Sequence, residues 1–145
     1  MPPNNKPSED APLGKEAVSM LMVEDDSFLR DILVRKFSLE GFSVESANSG
    51  KEALALLKKK KPTIILLDLI LPEMDGFAIL THIKGDPNIA DVPVIVLSNL
   101  GQKDDIDRAR KLGAKDFMVK ANFTPEEIVE KVYAILGKKP APSSE

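Results

Sequence analysis

The chain contains no cysteine and only one histidine, His82. Disulfides, thiol nucleophiles and thiolate metal sites are therefore excluded, and so is a multi-histidine zinc site within one chain. Basic charge is not in excess: 20 Lys and Arg stand against 23 Asp and Glu, a net charge of −3. A basic surface of the kind that grips nucleic acid is not expected. Apolar runs are too short to span a bilayer, and no hydrophobic leader opens the sequence, so neither membrane nor secretion is expected and the location reads as cytoplasmic.

What is present suits one globular domain: 145 residues, 43% of them hydrophobic, enough for a single core. Residues 1–17, "MPPNNKPSEDAPLGKEA", are rich in Pro, Asn and charge, and residues 137–145, "GKKPAPSSE", read alike. Neither buries enough apolar surface to offset ordering entropy, so both are expected to be flexible tails around a domain at 18–136.

Within that domain short apolar runs alternate with helix-period segments. "SMLMV" from Ser19 reads as a buried strand, and "SFLRDILVRKFSLEG" places Phe28, Leu29, Ile32, Leu33 and Phe37 in a helical stripe closed by Gly41. "FSVESA" alternates with period two, as a strand near an edge does. "GKEALALLKKKK" forms a helix up to Pro62 with its lysines outward. "TIILLD", ending at Asp68, and "VPVIVLS", ending at Ser98, are apolar on both faces, the mark of central parallel strands. Helices are expected from Phe77 to about Lys84 and over "QKDDIDRARKLGA", a short strand over "KDFMVK", Lys115 to Lys120, and a last helix opened by the capping box of Thr124 and Glu127. Five strands alternating with five helices make an α/β fold with a doubly wound parallel sheet and right-handed crossovers.

In such a sheet, chemistry gathers beyond the C-terminal ends of the strands. Those ends carry Glu24, Asp25 and Asp26, then Asp68, then Ser98, then Lys120. Clustered carboxylates repel one another and call for a counter-charge. A hard divalent cation with oxygen-only ligands suits them, Mg²⁺ or Mn²⁺ in its place. Beside such an ion a free carboxylate of Asp68 is a nucleophile for a phosphoryl group, whose other oxygens Ser98 and Lys120 would bind. Asp26, next to Ser27, reads as a helix cap rather than a ligand. The lysines Lys58–Lys61 read as a solvated helix end, and His82 as a solvent-facing residue without a role.

Four stretches in order, "LMVEDDSFLRDIL", "LLDLILPEMDGFAIL", "PVIVLSN" and "GAKDFMVK", resemble the receiver domain of bacterial two-component response regulators, in its stand-alone chemotaxis-protein form. The resemblance implies a flavodoxin-like (βα)5 fold with strand order 2-1-3-4-5. It implies Asp68 as phospho-acceptor, Asp25 as direct metal ligand with Glu24 as second acid, and the Ile70 backbone carbonyl as a further ligand. Ser98 matches the switch hydroxyl, Phe117 the aromatic switch and Lys120 the site lysine. Implied partners are a sensor histidine kinase or phosphotransfer protein and a downstream protein bound on the face of the fourth helix, fifth strand and fifth helix, with no direct nucleic-acid contact.

Two positions depart from the family pattern. Ala121 follows Lys120 where proline is usual, and Asn99 follows Ser98 where a small residue is usual. A cis bond before a non-proline residue costs about 3 kcal/mol, so Ala121 favours a trans link and another placement of Lys120. The resulting expectation is a non-enzymatic, single-domain phospho-acceptor that switches partner binding. The alternative is a receiver-like interaction module independent of phosphorylation. A phosphate-transferring hydrolase is disfavoured, because Ile70 stands where such enzymes carry a second aspartate.

Overall fold

The computed structural model describes residues 18–137; both expected tails, apart from Gly137, lie outside the described residues. Five strands, β1 (Ser19–Val23), β2 (Ser43–Ala47), β3 (Ile64–Leu67), β4 (Val94–Ser98) and β5 (Asp116–Val119), alternate with five helices, α1 (Ser27–Leu39), α2 (Gly50–Lys59), α3 (Gly76–Gly85), α4 (Lys103–Lys111) and α5 (Pro125–Leu136). The sheet is parallel throughout, in the order β2-β1-β3-β4-β5. This is the flavodoxin-like arrangement, and it aligns all strand C-termini on one edge.

Every residue of β3 and β4 is buried, whereas β2 alternates outward and inward, as an edge strand open on one face must. The two-residue period of a strand divides the core in two. Leu21, Val23, Ile65, Leu67, Val94 and Val96 pack under α2, α3 and α4. Met20, Met22, Ile64, Leu66, Ile95 and Leu97 pack under α1 and α5. On that second face Phe42 lies edge-on to both Phe37 and Tyr133, with ring centroids 5.1 and 5.6 Å away, contacts of about 0.5–1.5 kcal/mol each. The Tyr133 hydroxyl donates to Glu40 Oε1 at 2.7 Å, and burial with that acid beside it pushes the phenol far above its ordinary range.

Helix starts are built by side chains. Asp26 accepts from the N–H groups of Phe28 and Leu29 at 3.0 and 3.2 Å, the expected cap. Thr124 and Glu127 form the expected capping box. Gly41 and Gly113 close the turns after α1 and α4 at φ of 97° and 108°, a region that a side chain would disfavour. Among the described residues no helix is long and apolar enough to cross a membrane.

Four expectations need correction. β3 stops at Leu67, because Asp68 Oδ1 accepts from the Ile70 N–H at 3.1 Å and turns the chain off the ladder. β4 begins at Val94, since Pro93 has no N–H to give the ladder. Lys120 is not in β5: pairing ends at Ser98 opposite Val119, and Lys120–Asn122 form a 3-10 turn. The apolar stripe of α1 is really two stripes. Leu33 and Phe37 are buried, but Phe28 and Ile32 are 75% and 36% exposed, because a helix lying on a sheet cannot turn so wide an arc inward.

Candidate functional site

The aligned strand ends place Glu24 and Asp68 side by side. The Glu24 N–H donates to the Ala47 carbonyl at 2.9 Å and the Asp68 N–H to the Val23 carbonyl at 3.0 Å, so one bond to the last residue of a neighbouring strand holds each backbone just past the end of the ladder. Both side chains are buried, at 2% and 5% residue exposure. Burying two carboxylates is costly unless a cation meets them. Lys120 meets them: its Nζ lies 2.8 Å from Glu24 Oε1, 2.9 Å from Glu24 Oε2 and 2.9 Å from Asp68 Oδ2. No peptide bond among the described residues is cis, so the Lys120–Ala121 link is trans as expected. The trans link does not keep Lys120 from either acid.

The proton balance follows from this packing. Burial foremost, with the negative charge of Asp68 adding to it, pushes Glu24 above the usual carboxylate range, against the pull of Lys120 and the Asp26 N–H. Burial alone would lower Lys120, but its hydrogen bonds to Glu24 and Asp68 outweigh it and hold the ammonium above its ordinary value. The lysine keeps its charge, and the cost of two acids around one ammonium falls on Glu24.

The remaining expected residues lie around this triad. Asp25 is exposed, and its carboxylate makes no hydrogen bond or ion pair among the described residues. Ser98 is fully buried, its Oγ accepting from the Leu100 N–H at 3.4 Å; Asn99 beside it is exposed. Phe117 pairs with Val96 across the ladder and is half-buried on the α3/α4 side of the sheet. His82 is exposed, as expected.

The loop from Asp68 to α3 is shaped by Gly76. A Cβ there would lie 2.4 Å from Leu69 Cα and 2.5 Å from the Asp68 carbonyl oxygen, both backbone atoms that cannot yield. Glu73 in the same loop takes a left-handed φ of 69°. α4, by contrast, is lightly held. Ala109 is its only buried residue, its N-cap Gln102 makes no capping bond, and Arg108 reaches down to stack 4.1 Å over the Phe77 ring.

One residue went unnoticed in the sequence. Arg30 Nη1 donates to the Glu24 carbonyl at 3.1 Å, tying the first turns of α1 to the end of β1. A lone basic residue one turn past an acid run was the available signal.

The donors suit a hard divalent cation in a restricted sense. Among the described residues no three acidic or histidine side chains converge as a metal cage. An ion that keeps several of its waters needs only a few oxygens, and Asp25 and Asp68 are carboxylate donors at the same strand edge. Glu24, expected as the second acid, has both oxygens on Lys120, so an ion and the ammonium would compete for it.

The family description "Response regulator receiver domain" matches residues 20–133. The chain belongs to the response regulator receiver family. This receiver domain is 37% identical over 127 residues to the transcriptional regulatory protein CpxR homolog of Haemophilus influenzae, covering 86% of this chain and 53% of that one. It resembles the signal receiver domain of a histidine kinase from Syntrophus aciditrophicus, at 30% identity and a TM-score of 0.76, covering 89% of this chain and 96% of that one. It also resembles the Mn²⁺-bound form of response regulator Rcp1, at 25% identity and a TM-score of 0.72, covering 88% and 97%. The chain spans about half the length of the curated relatives it matches. Receiver domains act in two-component signalling with histidine kinases or phosphotransfer proteins, and they generally bind Mg²⁺.

Proposed function

We propose that this receiver accepts a phosphoryl group on Asp68 from a phosphohistidine of a histidine kinase or phosphotransfer protein and thereby changes its affinity for a protein partner. One observation carries the reading. A buried aspartate faces a half-buried lysine at 2.9 Å, and a fully buried serine ends the neighbouring strand.

Asp68 Oδ attacks phosphorus, an O–P bond forms, the P–N bond to the donor imidazole breaks, and its electron pair returns to that nitrogen. Lys120 offsets the charge that grows on the phosphoryl oxygens. When bound, Mg²⁺ (or Mn²⁺) supplies further neutralisation; Asp25, Asp68 and the Ile70 carbonyl would hold it, with Glu24 as the second acid. The Ser98 hydroxyl turns from the Leu100 N–H to donate to a phosphoryl oxygen. Phe117, on the same side of the sheet, takes the space released, and the lightly held α4 shifts with it. The face of α4, β5 and α5 then favours a different partner state, a population shift.

The receiver has no basic excess for nucleic acid, so its own output contact is with protein, in the cytoplasm, and it acts as a signalling switch rather than an enzyme on other substrates. Intact mass spectrometry after treatment with Mg²⁺ and a small phosphodonor tests this. Wild type should gain one phosphate and Asp68→Asn none; equal labelling of both would overturn the assignment. Partner binding indifferent to Asp68→Asn would instead favour a phosphorylation-independent module, the reading that Asn99 beside Ser98 supports.

A further inference from the structure

Helix α2 shows solvent an ordered face that the signalling reading does not use. Lys51, Leu54, Ala55, Lys58 and Lys59 recur at the three- and four-residue intervals that form one stripe along a helix. It is not the core stripe, which is Gly50, Ala53 and Leu57. The outer stripe lines a groove of about 650 Å³ completed by Glu73 and Met74, from the loop between Asp68 and α3. Leu54 and Met74 are half-buried and Ala55 is exposed, so the groove pairs an apolar middle with lysines in the first and last turns. Lys58 and Lys59 also border a second hollow of about 350 Å³, lined as well by Lys60, Lys61, Asp86 and Asn88.

Helix electrostatics explain only part of this charge. Lysines in a last turn suit the helix dipole, but Lys51 sits in the first turn, where the dipole disfavours a cation. The ammonium groups of Lys51, Lys58, Lys59 and Lys60 make no hydrogen bond or ion pair among the described residues; Lys61 alone is paired, with Asp91 at 3.0 Å. Five lysines thus stand against the carboxylates of Glu73 and Asp86 in the two hollows, although the whole chain carries a net charge of −3.

The arrangement selects among anionic partners. A nucleic-acid backbone, charged at every step, would meet Glu73 and Asp86 as well as the lysines and would place nothing apolar on Leu54 and Met74. A flat bilayer surface does not reach into a groove between a helix and a loop. A helix with acids seven residues apart holds them about 10 Å from each other, the same interval that separates Lys51 from Lys58 along α2. Apolar residues one turn after its first acid then lie on Leu54, Ala55 and Met74, the helix-in-groove mode of recognition.

We propose that the groove between α2 and the loop after Asp68 docks an acidic amphipathic helix of a partner protein, apart from the face of α4, β5 and α5. The contact rests on no chemistry at Asp68.

Fluorescence anisotropy of labelled peptides of about 18 residues, long enough to hold a helix, tests it on the full 145-residue chain. One alanine-based peptide carries a glutamate, leucines three and four residues later, and glutamates seven and eight residues later. The other has the same composition scrambled. Wild type should bind the patterned peptide about tenfold tighter or more. Lys51→Glu with Lys58→Glu should lose that preference. A peptide with lysines in place of the glutamates should bind this double variant and not wild type, which also shows that the variant folds. Equal binding of the patterned and scrambled peptides, or a double variant that keeps the wild-type preference, overturns the proposal. A single-stranded oligonucleotide or a phosphatidylserine vesicle that outbinds the patterned peptide on wild type, and fails on the double variant, overturns it in favour of a polyanion.

Discussion

Lys120 Nζ stands 2.8 Å from Glu24 Oε1, joining residues 96 apart in sequence, from the end of β5 to the end of β1. Because Glu24 and Asp68 are both buried behind it, Lys120→Met leaves two acids without their cation. Removing one partner from a buried ion pair costs about 3–5 kcal/mol, and a loss of that order is expected in urea unfolding without added metal. Combining it with Glu24→Gln should cost less than the two single changes together. An unchanged unfolding midpoint for Lys120→Met would show that the bridge does not support the fold.

The same triad sets two edges of stability against pH. Glu24 is raised, so the folded state holds its proton more readily than the unfolded chain. Unfolding free energy should therefore fall as pH climbs from the ordinary glutamate value to the raised one, and Glu24→Gln should remove that slope. Lys120 is also raised, so its contribution is complete below the ordinary lysine value and lost as pH rises through the folded one. Asp68→Asn should bring the alkaline loss to lower pH. Chemical denaturation across both edges, without Mg²⁺, checks each sign.

Gly76 and Gly85 open and close the same helix but should respond oppositely to a methyl group. Gly76→Ala drives a Cβ to 2.5 Å from the Asp68 carbonyl. The backbone must shift, at a cost of about 3 kcal/mol, and phosphorylation at the displaced Asp68 should slow. Gly85→Ala meets nothing within 4 Å and should be neutral or stabilising by up to about 1 kcal/mol. Thermal melts of both, with a phosphorylation time course, separate local space from helix propensity.

Adjacent acids should separate by task. Asp26→Ala removes the cap of α1 and should cost about 1 kcal/mol while leaving the response to Mg²⁺ intact. Asp25→Ala touches no bond among the described residues and should leave stability unchanged while weakening Mg²⁺ binding. Unfolding curves and metal titration of both variants read this directly. Loss of Mg²⁺ binding in Asp26→Ala alone would reverse the two roles.

The fold was legible because parallel βα alternation leaves a simple record: runs of four or five apolar residues for the central strands, and cap residues such as Thr124 before the helices. The site was legible because such a sheet brings strand ends together whatever lies between them. Contacts decided by three-dimensional detail were not legible. No local pattern told that Lys120 would grip Glu24 on both oxygens, or that Arg30 would bond the Glu24 carbonyl. Phe28 looked like core because apolar periodicity records which residues share a helix face. It does not record how much of that face the sheet can cover.

The sheet that divides the core into two clusters also divides the molecule's labour. Ser98, Phe117 and α4 lie on one side, while Tyr133, Glu40 and α1 are braced on the other. β3 and β4, buried throughout, stand between them as a bulkhead. In the proposed switch, motion of α4 would spend itself on its own side and leave α1 as the stator.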